Sequence, residues 1–390
     1  SACEQIRLGS CEAAFAGAVN LYLHPSAYYY LSSLRMLSSD GRCRSFGENG
    51  SGFVPGEGAA VVLLKALNRA VADGDHVHGV ILATHVNHGG RTHGFMVPNP
   101  RAQAALIRES LDKAGVNARH ISYIEAHGTG TALGDPIEVE GLQQAFAFDT
   151  ADRQFCALGS AKSNIGHLEA AAGIAGLLKV LLQMRHQQLA PTLHAEKTNP
   201  NIHFESGSFV LNRELRAWDR PVVDGRILPR IAGVSSFGAG GVNAHVLLQE
   251  YEAPHVVSAD PASYGTHALI PLSAFRPEQL IDRAQQLLAF ANAEAERFDL
   301  HRVAYTLQLG RDPMAHRVAF VVDSIESLRA ELETFVRGRI GGATCVAGGV
   351  DHSSMRAQQI QDVDDCLAEH GRIDLRRLAT LWVSGAPVEW

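Results

Sequence analysis

The alternation of apolar and polar positions divides the chain into two regions. In the first region, short apolar runs alternate with segments of helical periodicity, and six strands are predicted at 59–65, 77–83, 121–125, 156–160, 231–235 and 244–249. The continuous apolar run at 59–65 is typical of a strand buried on both faces. Helices are predicted from Pro100 to near Gly115, from Asp135, and over 166–184. Strands that alternate with helices indicate a layered α/β domain.

The start of the helix at Asp135 has a distinct signature. Asp135 is expected to cap this helix, with Pro136 at its first position and Glu138 closing a capping box. The later region, 266–390, predicts a smaller α/β unit with strands at 268–272 and 318–322 and helices at 278–293, 300–309 and 325–336. It carries no cluster of reactive side chains, so a structural adaptor is expected. The segment 251–265 is predicted to be the connection between the two regions.

Composition narrows the class of protein. The chain has 390 residues, of which 46% are apolar and 19% charged, and its net charge is −7. This balance argues against a disordered chain, and the mild acidity argues against nucleic-acid binding. No apolar stretch reaches the roughly 20 residues of a membrane span. Six scattered cysteines without a CxxC pair, and no signal-peptide pattern after the initial Ser-Ala-Cys, favour a reduced, cytoplasmic location.

Two loops combine a histidine with glycine and hydroxyl residues. Residues 125–131 (EAHGTGT) follow a predicted strand, so His127 lies at a strand's carboxyl end, where open α/β sheets bind ligands. Residues 162–167 (KSNIGH) lead into the helix at 166–184, and His167 is expected in its first turn. A neutral imidazole there could donate a hydrogen bond to a developing oxyanion. A surface histidine and a capping group are the alternative interpretations.

A third loop lies within 233–245 (GVSSFGAGGVNAH), where four glycines fall within nine residues. Its backbone N–H groups are expected to form an oxyanion or phosphate cradle. Five histidines between 76 and 93 lack zinc-site spacing and are interpreted as solvated residues, so no metal site is expected. Two histidines and an amide loop favour enolate or oxyanion stabilisation in acyl chemistry. No cysteine lies on an evident strand-to-helix elbow, and no GxSxG motif supplies a serine nucleophile.

These segments together resemble the β-ketoacyl synthases of modular polyketide synthases. The resemblance covers about 1–250, and its motifs keep the family's order and spacing: 10–20 (SCEAAFAGAVN), 40–58 (DGRCRSFGENGSGFVPGEG), 125–140 (EAHGTGTALGDPIEVE), 162–173 (KSNIGHLEAAAG) and 233–245. Residues 266–390 resemble the linker domain that follows such ketosynthases. The loop 86–100 is similar to the trans-acyltransferase branch of the family.

The resemblance implies a thiolase-like layered α/β fold with two similar halves, followed by a small α/β linker domain, in a homodimer. A Cys would accept the acyl chain from an acyl carrier protein. His127 and His167 would promote decarboxylation of the malonyl carrier protein and stabilise the enolate, and Lys162 would orient His167. Residues of two loops would complete the pocket: Thr129 and Thr131 on the pantetheine arm, Phe237 with its N–H in the oxyanion hole, and Gly238, Ala239 and Gly240 beside the acyl group.

One departure from the family pattern concerns the nucleophile. The family's Cys lies in a TACSSS-like elbow that this sequence does not contain. Measured back from 17–20 (GAVN), Cys3 falls in the helix after that elbow and is expected to be a buried helix cysteine. Ala239 and Val242 replace the Phe and Thr usual in the family. Residues 1–250 are therefore expected to be the C-terminal part of a ketosynthase whose Cys lies upstream of residue 1.

Four functions stay open. The first is chain elongation by decarboxylative Claisen condensation, with activity dependent on the upstream part; the others are acyl transfer without elongation, β-branching, and a non-catalytic role in assembly. The expected partners are acyl carrier proteins with their phosphopantetheine arm, the N-terminal ketosynthase part, a second copy of the chain and a trans-acting acyltransferase. No covalent cofactor, nucleic acid or membrane is expected.

Overall fold

The computed structural model describes residues 1–92, 94, 97–252, 266–293, 299–339, 344–350, 362–363, 366 and 374–390. The chain divides into two compact units, Ser1–Ala253 and Pro254–Trp390. All but the first two residues of the predicted connection 251–265 lie outside the described ranges. Within those ranges, no helix is both long enough and apolar enough to cross a bilayer.

The helices and strands of the first unit are numbered in chain order. The helices are α1 to α7, at Ala2–Arg7, Ser26–Ser33, Leu67–Ala72, Pro100–Ala114, Gly134–Phe146, Lys162–Ile165 and Ala172–His186. The strands are β1 to β12, at Ala13–Asn20, Gly58–Lys65, Val80–His88, Tyr123–Glu125, Cys156–Gly159, Gln188–Leu189, Phe209–Leu211, Arg216–Ala217, Val222–Val223, Arg226–Ile227, Ile231–Phe237 and Val242–Gln249.

A six-stranded sheet organises this unit, in the order β3-β12-β11-β4-β5-β7. Strands β11, β4, β5 and β7 run parallel, whereas β12 is antiparallel to both of its neighbours. Successive side chains of a strand point to opposite faces, so Ile124 packs in the core beneath α4 and α5, while Tyr123 packs with Val180 of α7. The layered α/β domain predicted from the sequence is therefore confirmed.

Helix α4 forms where its end signals predict it. The Asn99 side chain accepts hydrogen bonds from the N–H groups of Arg101 and Ala102, and Pro100 occupies the first turn. Gly115 ends the helix in the left-handed conformation at φ 65°. Both ends match the sequence signals because the capping residues satisfy N–H and C=O groups that have no partner within the helix.

Two predicted elements differ in the structure. The run at 59–65 does form strand β2, but among the residues that the structure describes β2 pairs only with β1, in an antiparallel two-stranded ribbon with one exposed face. Phe15, Val61 and Leu63 on that face are 75%, 62% and 61% exposed. An apolar run does not reveal which surface will cover it, and the prediction of burial on both faces was wrong for this chain. The strand predicted at 77–83 lies slightly later, at Val80–His88.

The second unit contains β13 (Ala268–Ala274), β14 (His316–Val322) and β15 (Cys345–Gly349) in one antiparallel sheet. Its helices are α8 to α11, at Pro277–Ala293, Leu300–Leu309, Ile325–Val336 and Leu375–Val383. Helices α8, α9 and α10 pack on one face of the sheet, and α11 packs on the other. The two strands and three helices predicted here are present, and β15 and α11 are additional elements.

Candidate active site

The three loops singled out in the sequence meet at one edge of the six-stranded sheet. The loop with His127 follows β4, the loop with His167 follows β5 and α6, and Phe237 ends β11. The ring centroids of His127 and His167 are 5.3 Å apart at an interplanar angle of 83°, and the His127 and Phe237 rings are 5.7 Å apart. These positions follow from the parallel strands β11, β4 and β5, whose carboxyl ends lie at the same edge.

The His127 loop is held by backbone hydrogen bonds to a buried carboxylate. Glu138 of α5 accepts from the N–H groups of His127 at 2.7 Å and of Gly128 at 2.8 Å. The imidazole itself accepts a hydrogen bond at Nδ1 from the Phe237 N–H, at 3.4 Å. Because Nδ1 accepts, the proton of the neutral ring lies on Nε2.

His167 lies outside the helix in which it was expected. Gly166, the first residue of the predicted helix, adopts φ 79° and follows the end of α6 at Ile165, and α7 begins only at Ala172. The His167 N–H donates to the Val54 carbonyl at 2.7 Å, in a short bridge with 54–56. The prediction that His167 occupies the first turn of a helix was wrong, because helical periodicity does not register one left-handed glycine.

The His167 ring is held through the same nitrogen atom as that of His127. Its Nδ1 accepts a hydrogen bond from the Glu169 N–H at 2.9 Å, and its ring packs on Phe53 at a centroid distance of 4.7 Å. The neutral ring therefore also carries its proton on Nε2. Both histidines are thus prepared to donate a hydrogen bond from Nε2.

Electrostatics keep both rings neutral. Burial, then the charge of Lys162 and the neighbouring His167, lowers the pKa of His127 well below its usual value. Burial, followed by Lys162, lowers the pKa of His167 to about 3. Burial also lowers the pKa of Lys162, against the opposing effect of the acidic groups around it. Lys162 is buried in α6, and its positive charge disfavours a second positive charge on either imidazole.

The two acids assigned to a helix cap have another role. Helix α5 begins after Leu133 with no side-chain cap, and Asp135 accepts hydrogen bonds from the N–H groups of Phe46 at 2.7 Å and Gly130 at 3.2 Å. Burial raises the pKa of Asp135 to about 6 and that of Glu138 to about 7. The capping-box prediction was wrong: both carboxylates fix the loop that carries His127.

The threonines and the glycine-rich turn lie around this pair. Thr129 and Thr131 are half-buried, with their hydroxyl oxygens 3.3 Å apart. The turn is shorter than expected, because Gly233 belongs to β11 and only 238–241 connect the two strands. Residues Gly238, Ala239 and Gly240 of this turn are exposed.

Three backbone N–H groups at this turn donate to other groups of the protein instead of pointing into an open cradle. The Gly238 N–H donates to the Val242 carbonyl at 2.7 Å, and the Gly241 N–H donates to the Gly238 carbonyl at 2.9 Å. The Phe237 N–H, expected in an oxyanion hole, donates to His127. These three amides therefore maintain the turn and orient the imidazole.

Of the five histidines between 76 and 93, two make local polar contacts that the structure describes. Nδ1 of His88 accepts a hydrogen bond from the Gly90 N–H, so Nε2 donates to the Gly240 carbonyl at 3.0 Å. This bond connects the turn to β3. His85 pairs with Glu109, and His93 lies outside the described residues. Among the described residues, no group of three or more His, Cys, Asp or Glu is placed to hold a metal ion.

The cysteines offer no activated thiol at this pair of histidines. Cys3 lies in α1, as expected, and is half-buried rather than buried. Cys43 is buried close enough to Lys162 to feel its charge, yet burial dominates and raises the pKa of its thiol. Its Sγ accepts a hydrogen bond from the Val54 N–H at 3.1 Å. Cys43 is therefore a packing residue beside the site.

Sequence comparisons identify the relatives of this chain. Residues 1–70 match the model of the beta-ketoacyl synthase N-terminal domain, 78–196 that of the C-terminal domain, and 271–339 that of the RhiE-like KS-MAT linker domain. Polyketide synthase PksL of Bacillus subtilis is 49% identical and polyketide synthase ThaG of Burkholderia thailandensis 48% identical, each over 100% of this chain. The chain spans only 9% and 7% of these relatives.

Solved structures give the same result. The oxazolomycin ketosynthase domain OzmH KS7 of Streptomyces albus is 44% identical with a TM-score of 0.87, over 99% of this chain and 63% of that one. The ketosynthase from module 6 of the bacillaene synthase of Bacillus subtilis is 38% identical with a TM-score of 0.84, over 100% of this chain and 67% of that one. The chain thus has a thiolase-like α/β fold and belongs to the β-ketoacyl synthase family of polyketide synthases.

Proposed function

We propose that this chain supplies the two histidines of a decarboxylative condensing site. The single observation that supports this is that the two imidazoles share one tautomer, with the proton on Nε2. Each Nδ1 accepts a backbone N–H, so each Nε2 carries a hydrogen-bond donor. Two neutral donors at one sheet edge are suited to a carbonyl oxygen on which negative charge develops.

The reaction follows from those donors. The carbonyl oxygen of a malonyl thioester accepts from Nε2–H of His127 and of His167. Its carboxylate leaves as CO₂, and the bonding electron pair moves into the enolate, whose oxygen keeps both hydrogen bonds. The enolate carbon then attacks the carbonyl of an acyl-Cys thioester, a carbon–carbon bond forms, and the Cys thiolate departs. The histidines remain neutral donors throughout, because their depressed pKa values oppose protonation.

The other residues would have supporting roles. Lys162 adds to the burial that keeps the imidazoles neutral, and Thr129 and Thr131 hydrogen-bond the pantetheine arm of an acyl carrier protein. Gly238, Ala239 and Gly240 border the acyl group, while Phe237 orients His127. The nucleophilic Cys comes from a segment upstream of residue 1. The biological unit is a cytoplasmic homodimer that works with carrier proteins and a trans-acting acyltransferase.

Decarboxylation alone tests the histidine pair, since this half-reaction needs no nucleophile. The chain is incubated with the malonyl thioester of N-acetylcysteamine, and the acetyl thioester is quantified. His127→Ala and His167→Ala should each lower the rate by about 10²–10³-fold, the loss typical of one oxyanion donor. His203→Ala, which changes an exposed histidine, is the matched control. Equal rates for the wild type and both active-site variants would contradict the proposal.

A second arm tests the origin of the nucleophile. With an acyl thioester also present, this chain alone should form no β-ketoacyl product. Product formed by this chain without any further polypeptide would refute the upstream placement of the Cys.

A further inference from the structure

Glu125, at the end of β4, has a role that neither its motif nor the reaction scheme assigns. Its side chain is only 3% exposed and touches three different elements. Oε1 accepts from the Ala161 N–H at 2.6 Å; Oε2 accepts from the Tyr123 hydroxyl at 2.7 Å and pairs with Lys179 of α7 at 2.8 Å. A buried carboxylate with this many short contacts fixes the elements that donate to it.

Those elements carry the catalytic groups. Glu125 precedes His127 by two residues, and Ala161 directly precedes Lys162. The hydrogen bond from the Ala161 N–H to Glu125 therefore joins the strand end that leads into one loop to the helix start of the other. Helix α7 leaves room for this bond at Gly176, where a Cβ would lie 3.0 Å from Cγ of Glu125.

Two lysines lie near this one carboxylate, and only Lys179 is paired with it. Lys179 pairs with it directly and also lines an apolar groove of about 550 Å³. On the other side, Glu125 and Lys162 line the same small cavity. Among the acidic groups that raise the pKa of Lys162, Glu125 has the largest effect. The titratable groups that act on Lys162 or feel its charge are Glu125, Glu138, Asp135, Cys43, His127 and His167.

We propose that Glu125 is a positioning residue of the condensing site: its carboxylate joins the His127 strand to the Lys162 helix and supplies the negative charge that balances Lys162. The consequence is indirect. Glu125 contributes the largest share of the negative charge that favours charged Lys162, and charged Lys162 adds to the burial that keeps the two imidazoles neutral and ready to donate. The catalytic part of this inference rests on the proposed function, whereas the charge balance does not.

The test uses the five lysines of the chain, Lys65, Lys113, Lys162, Lys179 and Lys197, whose ¹³Cε signals give a spectrum with few peaks. Glu125→Gln alone would leave Lys179 without its paired carboxylate in a buried position and would destabilise the chain. The comparison is therefore between Lys179→Gln and the double variant Glu125→Gln/Lys179→Gln, which differ only in the carboxylate charge.

The pH titration of Lys162 should distinguish the two variants. In the double variant Lys162 should release its proton about one pH unit lower than in Lys179→Gln, a tenfold loss of proton affinity. In Lys179→Gln, where Glu125 no longer shares its charge, Lys162 should hold its proton to a higher pH than in the wild type. Equal midpoints in any of these pairs would overturn the proposal. The Lys179→Gln arm decides the matter even if the double variant does not fold.

Malonyl thioester decarboxylation then links charge to chemistry. The double variant should lower kcat about tenfold relative to Lys179→Gln, with KM unchanged. If the Lys162 midpoints differ between the variants as expected but the wild-type chain does not decarboxylate the malonyl thioester, the proposed function is refuted and the charge balance is supported. A midpoint shift with unchanged kcat in the double variant would overturn the positioning role of Glu125.

Discussion

Histidine 245 should make the first unit lose stability as the pH falls, and substituting it should remove that loss. His245 is fully buried on β12, its Nδ1 lies 3.0 Å from the Ser235 hydroxyl, and its Nε2 has no hydrogen-bond partner among the described residues. Burial lowers its pKa to about 4. In the unfolded chain the imidazole titrates near the ordinary value of about 6.5.

Proton linkage gives the direction in which the unfolding free energy changes with pH. Between about pH 4 and 6.5 the unfolded chain binds a proton at this position and the folded chain does not, so the unfolding free energy falls as the pH falls. At about 1.4 kcal/mol for each pKa unit, His245 should remove about 2 kcal/mol between pH 7.5 and 5, and about 3 kcal/mol by pH 4. Other buried groups also titrate here, His167 with the same sign and Glu138 with the opposite sign. The difference between variant and wild type isolates His245.

The assay is urea unfolding of wild type and His245→Gln at pH 5, 6 and 7.5. Of the three tryptophans, Trp218 lies in the first unit, so its ¹⁹F signal after 5-fluorotryptophan labelling reports that unit alone. The unfolding free energy of the wild type minus that of the variant should fall by about 2 kcal/mol from pH 7.5 to 5. His203→Gln, at an exposed position, controls for the loss of one histidine. Parallel pH curves for wild type and His245→Gln would refute the reasoning.

Two further predictions concern the residues that hold the site, and a third concerns the exposed β1–β2 ribbon. Glu138→Ala should lower the unfolding free energy of the first unit by about 1–3 kcal/mol for each of the two loop N–H groups left without an acceptor, measured by urea unfolding. Gly166→Ala should cost at least about 2 kcal/mol in the same assay, because φ is 79° and a Cβ would lie 2.9 Å from the Val54 carbonyl; an unchanged midpoint would contradict the geometry. The exposed face of the β1–β2 ribbon should drive self-association, and Phe15→Lys/Leu63→Lys should reduce it in sedimentation velocity, whereas a monodisperse wild-type monomer would contradict this.

The sequence predicted which loops meet but not how they are held. The resemblance implied that His127 and His167 act at one site, and they do lie close together because the ends of parallel strands share one edge of the sheet. The interruption at Gly166 did not follow, because one left-handed residue leaves the apolar periodicity on either side intact. The fold class was predictable because it depends on alternation along the whole chain.

The buried acids show a second limit. Asp135 and Glu138 have the spacing of a helix cap, and the sequence does not contain the information that Phe46 and the His127 loop would donate to them instead. Glu125 looked like the polar end of a strand, and its contacts with Ala161 and Lys179 come from chain segments at least 36 residues away. Side chains that join distant segments are the part of a site that local patterns predict least.

The tautomers of His127 and His167 test the central claim most directly. In the ¹⁵N-histidine-labelled chain, with signals assigned from His127→Gln and His167→Gln, long-range ¹H–¹⁵N spectra at pH 7 distinguish a protonated ring nitrogen from an unprotonated one. Both rings should be neutral, with the proton on Nε2 and Nδ1 unprotonated. A proton on Nδ1 of either ring, or a cationic imidazolium at either position, would contradict the paired-donor site.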